Sequence, residues 1–141
     1  MPVSSCAIAV CAAIAYYFLI PQNLGRHSVF LSVPLDGCKL NRRWETLGVL
    51  QNKLEPITEL GLDDWQRVLD INLTGVFVCL QHELRAVADG GSIVNVGSVA
   101  SWSGPGYFAA YVASKHGLVG LTKVAADEAG ARGVRVNVVC P

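Results

Sequence analysis

Tyr111 and Lys115 lie four positions apart in a stretch patterned as a helix, so their side chains share one face. A free tyrosine has a pKa near 10 and is a poor proton carrier at neutral pH. A lysine ammonium within roughly 4–6 Å favours the phenolate, so the pair could donate or accept a proton near physiological pH. The same Y-x-x-x-K spacing also describes an ordinary amphipathic pair on a helix surface. Ser98 closes an apolar strand, and in an open parallel sheet ligands bind beyond the carboxyl ends of the strands. Its hydroxyl could donate to a substrate carbonyl, or it could simply end the strand. Asn72 sits in an apolar helical stripe between Val68 and Val76. A buried amide without partners costs about 1–3 kcal/mol, so backbone, water or a site must satisfy it. The plain alternative is a structural asparagine bridging a helix to a loop.

Four elements must position these groups. Trp65, Val68, Leu69, Asn72, Val76, Leu80 and Leu84 recur at three- and four-residue spacings and predict a helix over 62–87, with Asp63 and Asp64 in its first turn. Asp89-Gly90-Gly91 is a stop signal for it. Ser92–Ser98 reads as a buried strand and Gly104-Pro105-Gly106 as a turn. A second helix is predicted from Tyr107 to Ala131, with Ala109, Ala110, Ala113, Ser114, Gly117 and Gly120 giving one side small enough for close packing. Val134–Val139 is a second strand. Helix–strand–helix–strand order implies parallel strands joined by helical crossovers, an α/β architecture.

The rest of the chain bounds the function classes. With 141 residues there is room for one ordinary domain. Eleven basic and eleven acidic side chains cancel, and the pI of about 6.8 offers no electrostatic footprint for nucleic acid. Five cysteines, odd in number and without a C-x-x-C, make no disulfide framework. His82 and His116 have no companions at metal-ligand spacing. A reduced, cytoplasmic setting is the default expectation. No charged residue precedes Arg26, and residues 3–20 form an apolar run near the lower length limit of roughly 17 for a membrane span. If it anchors the chain, the basic residues that follow keep the remainder on the cytoplasmic side; a buried element is the alternative. Residues 21–47 read as loop with one short strand at Ser28–Val33. The chain changes character near residue 48, dividing an atypical segment, 1–47, from a regular one, 48–141.

Four stretches of the regular part carry a family pattern: D-I-N-L-T-G-V-F (Asp70–Phe77), G-S-I-V-N-V-G-S (Gly91–Ser98), Y-V-A-S-K (Tyr111–Lys115) and R-V-N-V-V-C-P (Arg135–Pro141). In order and approximate spacing this resembles the short-chain dehydrogenase/reductase family over residues 48–141. The resemblance implies part of a Rossmann-like doubly wound parallel sheet. It implies an NAD(P)-dependent oxidoreductase acting on a small alcohol or ketone. By similarity Tyr111 is the general acid/base, Ser98 steadies the substrate oxygen, and Lys115 supports the tyrosine and binds the nicotinamide ribose. Asn72 would hold a water leading to bulk solvent. Tyr111 and Lys115 would thus contact the cofactor, NAD or NADP, and no metal is called for. The two long helices would form a homo-oligomer interface.

The pattern is incomplete. The family's T-G-x-x-x-G-x-G turn, whose backbone N–H groups approach a pyrophosphate, is absent. Gly25, Gly37 and Gly48 stand alone before residue 60, and of the N-N-A-G motif only Gly48 survives. The expectation is therefore a copy incomplete at both ends that does not turn over by itself. The alternative is a non-catalytic module that pairs with a full-length relative through its two long helices.

Overall fold

The structure, a computed structural model, describes residues 30–32 and 40–46 by their backbone and residues 48–141 in full. The apolar run at 3–20 lies outside the described residues. Among the described residues no helix is long and apolar enough to cross a membrane.

Four strands form one sheet in the order β1 (Phe30–Ser32), β2 (Leu40–Thr46), β3 (Val87–Val96) and β4 (Arg135–Val139). β1 runs antiparallel to β2, while β2–β3 and β3–β4 are parallel, as the helix–strand alternation requires. β2 corrects the reading of 21–47 as loop around one short strand. Its Asn41-Arg42-Arg43 text has no apolar alternation, so pairing with β3 rather than local pattern makes it a strand. β3 is also longer at its start, and ends two residues sooner, than Ser92–Ser98. It runs through Asp89-Gly90-Gly91, where Gly90 takes φ 76° and the β2–β3 register shifts.

The predicted first helix is one helical run in three parts: α1 (Leu62–Leu69), a π-type turn (Asp70–Thr74) and α2 (Gly75–Ala86). It stops before the Asp-Gly-Gly signal because Val87 is already extended and Arg132 takes over the terminal carbonyls. Arg132 donates to Leu84 O at 2.6 Å, to Val87 O, and to Asp89 Oδ1 at 2.8 Å. The second helix, α3 (Ala109–Ala129), starts two residues later than predicted because Tyr107 lies at φ 68°, outside helical space. A 3-10 turn (Gly130–Arg132) and Gly133, at φ 65°, finish it.

Two apolar clusters hold the layers together. One joins Val76, Cys79 and Leu80 of α2 with Leu118, Ala125 and Ala129 of α3 over Ile93 and Val136 of the sheet and Val134 just before β4; Ile93 and Val136 are register partners. The other gathers Val49, Val68, Ile71 and Ala110, with Leu60, Trp65 and Tyr111 against it. The small face of α3 is used in part. Ala110 and Ser114 are buried, and a β-carbon on Gly117 would lie 2.9 Å from Leu73 Cδ2, whereas Gly120 is exposed with open space beside it.

Candidate functional site

Of the residues singled out for chemistry, Tyr111 packs against the second cluster. Ser98 is two residues past the end of β3. The ladder continues beyond the strand: Gly97 N donates to Val139 O at 2.7 Å and Val99 N to Pro141 O at 2.9 Å, fixing the backbone on both sides of Ser98. Ser98 then caps a 3-10 turn, Val99–Ser101. Its Oγ accepts from Ala100 N and its own N–H donates to Ser101 Oγ, each at 3.2 Å. A hydroxyl oxygen that accepts from the backbone keeps its proton for another acceptor. No local pattern singles out Ser101, which is 1% exposed.

Lys115 connects this strand end to α3. It is 3% exposed, and its Nζ donates to Val96 O at 3.1 Å, two residues before Ser98. The same Nζ stands 5.8 Å from the centroid of the Tyr111 ring, within cation–π range. Helical spacing therefore does bring tyrosine and lysine together, and the turn after Ser98 packs against their helix. Burial lowers the Lys115 pKa from 10.5 to about 8, partly opposed by nearby Cys140. At neutral pH the group remains mainly an ammonium.

Asn72 is fully buried in the π-type turn, and its amide is engaged on both sides. Oδ1 accepts from Val49 N at 2.8 Å; Nδ2 donates to Val49 O at 3.0 Å and to Ser114 Oγ at 3.1 Å. Ser114 Oγ in turn donates to Tyr111 O at 2.7 Å. The side chain thus bridges a helix to the 48–52 segment and to the helix carrying Tyr111.

That 48–52 segment is the part of the site the sequence did not disclose. A β-carbon on Gly48 would meet Lys115 Nζ at 3.4 Å. Arg67 Nη2 donates to Leu50 O at 2.8 Å, and Asn52 N donates to Asp64 Oδ2 at 2.7 Å. Gln51, 4% exposed, reaches the first turn of α3. Only Gly48 carried any signal, as the remnant of a motif. His116 Nδ1 donates to Val112 O at 3.0 Å on its own helix, and among the described residues no group of three or more metal-ligating side chains exists.

The family model described as short chain dehydrogenase matches residues 45–141. The chain belongs to the short-chain dehydrogenase/reductase family. Over 86 residues it is 51% identical to short-chain dehydrogenase/reductase ABA4 of Pyricularia oryzae, covering 61% of this chain and 32% of that protein. It is 40% identical over 104 residues to cyclohexanol dehydrogenase of an Acinetobacter species, covering 72% and 41% of the two chains. The solved structure of an NAD+-bound xylitol dehydrogenase superposes with a TM-score of 0.67 at 34% identity, over 73% of this chain and 40% of that one. The fold is accordingly a partial Rossmann-like sheet of an oxidoreductase family, and the chain spans about two-fifths or less of these relatives.

Proposed function

We propose that residues 48–141 form the proton-transfer side of an NAD(P)-dependent oxidation of a secondary alcohol, or reduction of the matching ketone. The observation that carries this reading is Lys115: a buried ammonium tied to the end of β3 beside Ser98 and set against the Tyr111 ring. In the alcohol-to-ketone direction Tyr111 Oη takes the hydroxyl proton while Ser98 Oγ donates a hydrogen bond to the same oxygen. In the reverse direction Tyr111 returns the proton. The nicotinamide supplies hydride exchange when bound.

The residues present fit one end of that cofactor. An ammonium and a phenol on one helix face suit a ribose diol, and Gly48 leaves room beside Lys115 Nζ. No acidic or basic residue of this sequence can be assigned to the adenosine ribose, so NAD and NADP are equal candidates; the pyrophosphate end has no glycine-rich cradle, so turnover by the 141 residues alone is expected to be negligible. Val99, Trp102 and Tyr107 are all more than half exposed around Ser98 and the start of α3. Their apolar surfaces, together with the cyclohexanol dehydrogenase relative, favour a substrate with an apolar ring.

The test is dinucleotide binding followed by tryptophan fluorescence with NADH and NADPH. Saturable quenching that weakens at least tenfold in Lys115→Met supports the reading. Absence of quenching by both dinucleotides in the unaltered chain overturns it. A second reading, helix-mediated pairing with another copy or a relative, is favoured by exposed Phe77 on α2 and Val124 on α3. A concentration-dependent mass in sedimentation, lost in Phe77→Glu, would support it.

A further inference from the structure

The helix that carries Tyr111 and Lys115 begins without a cap of its own. Its N-cap residue, Phe108, makes no side-chain hydrogen bond to the helix. The first N–H groups of a helix need acceptors, and a buried donor left open is costly. Here the acceptor comes from far along the chain. Gln51 Oε1 accepts from Ala110 N at 3.0 Å and from Tyr111 N at 3.5 Å, across 59 and 60 positions of sequence. Its Nε2 donates to Tyr107 O at 3.0 Å and to Lys53 O at 3.4 Å. Tyr107 is also the one described non-glycine residue in the left-handed region, a conformation that persists only where its surroundings hold it. One buried amide thus caps the helix and secures the strained residue that enters it.

The anchor itself is fixed. Val49 is held through both backbone groups by Asn72, Leu50 O by Arg67, and Asn52 N by Asp64. Gln51 therefore reaches α3 from a segment already clamped to α1 and the π-type turn.

We propose that Gln51 is a positioning residue, capping α3 from outside and setting the height of Tyr111 against Ser98. The inference rests on the reading of Tyr111 as the proton carrier. Its test uses the whole chain without cofactor, so the two readings can fail separately. In Gln51→Leu, amide hydrogen exchange at Ala110 and Tyr111 should quicken at least tenfold while that of Leu80 in α2 stays within about threefold. The Tyr111 ring signals in carbon-13 NMR should move as well. Equal quickening in both helices, or no change with the ring signals in place, overturns the proposal.

Gln51→Glu provides an independent arm should the leucine variant not fold. It keeps the acceptor, so the Ala110 and Tyr111 amide proton shifts should follow the titration of the introduced carboxyl. Shifts that ignore that titration overturn the cap. Lost dinucleotide quenching in the unaltered chain, with these amide effects intact, sinks the functional reading and leaves the cap standing.

Discussion

Asn72 holds Val49 by both of its backbone groups, accepting from the N–H at 2.8 Å and donating to the carbonyl at 3.0 Å. A primary amide matches a peptide unit in this way because it presents donor and acceptor side by side. Asn72→Ala leaves Val49 N–H, Val49 O and Ser114 Oγ without these bonds in a buried site. The expected cost is about 2–4 kcal/mol, read from urea unfolding. A loss under about 0.5 kcal/mol, the range of an indifferent surface change, would contradict the bridging role.

Gly97 is required by contact rather than by conformation. A β-carbon there would lie 2.7 Å from Cys140 Sγ, 2.9 Å from Ser101 Oγ and 3.1 Å from Val138 Cγ2. Gly97→Ala should destabilise by about 1–3 kcal/mol through overpacking, and should displace Ser98. Cys140→Ala removes the nearest atom, so the double variant should recover part of the loss. Strict additivity in a double-mutant cycle would refute the contact.

Lys115 makes stability depend on pH with an unusual sign. Its folded pKa of about 8 lies below the ordinary 10.5, so the folded chain sheds this proton first. Below about 8 both states are charged and burial of the ammonium costs its full amount. Between about 8 and 10.5 the unfolded state binds more protons, so this group's contribution rises with pH. Lys115→Met should flatten that rise, measured as the difference in urea midpoints between variant and parent across the window. An unchanged pH slope would contradict the burial effect.

Arg132 ends α2 from the 3-10 turn that follows α3, through Leu84 O and Val87 O, with Asp89 on its flank. Arg132→Ala should cost about 1–2 kcal/mol, less than a buried pair because the guanidinium is partly solvated. Amide exchange should quicken first in the last turn of α2 and at Val87. Protection unchanged there would show that the helix end stands without it.

What was legible in the sequence was whatever is local. Tyr111 and Lys115 were found because helical spacing is a short-range rule, and Ser98 because a β-branched run ended on it. Asn72 stood out as an amide among apolar neighbours, which signalled that it needs partners but not which ones. The partners proved to be backbone at Val49 and a hydroxyl at Ser114, 23 and 42 positions away. Gln51 was invisible for the same reason: nothing near it in sequence distinguishes it from a surface glutamine. β2 is not legible because its residues have little strand character of their own, and its conformation is imposed by β3. The start of α3 is not legible either, because in sequence Tyr107 is an ordinary helix-opening aromatic and only its backbone, at φ 68°, sets it outside the helix.

The π-type turn at Asp70–Thr74 separates two apolar faces, with Val68 and Ile71 facing one cluster and Val76, Cys79 and Leu80 the other. Each residue of a helix advances it by about 100°. Shortening this turn by one position would therefore rotate everything downstream out of phase, swinging either the Asn72 clamp or the α2 stripe away from its partner. The length of that turn is therefore as strict a requirement of the fold as the identity of Asn72 within it.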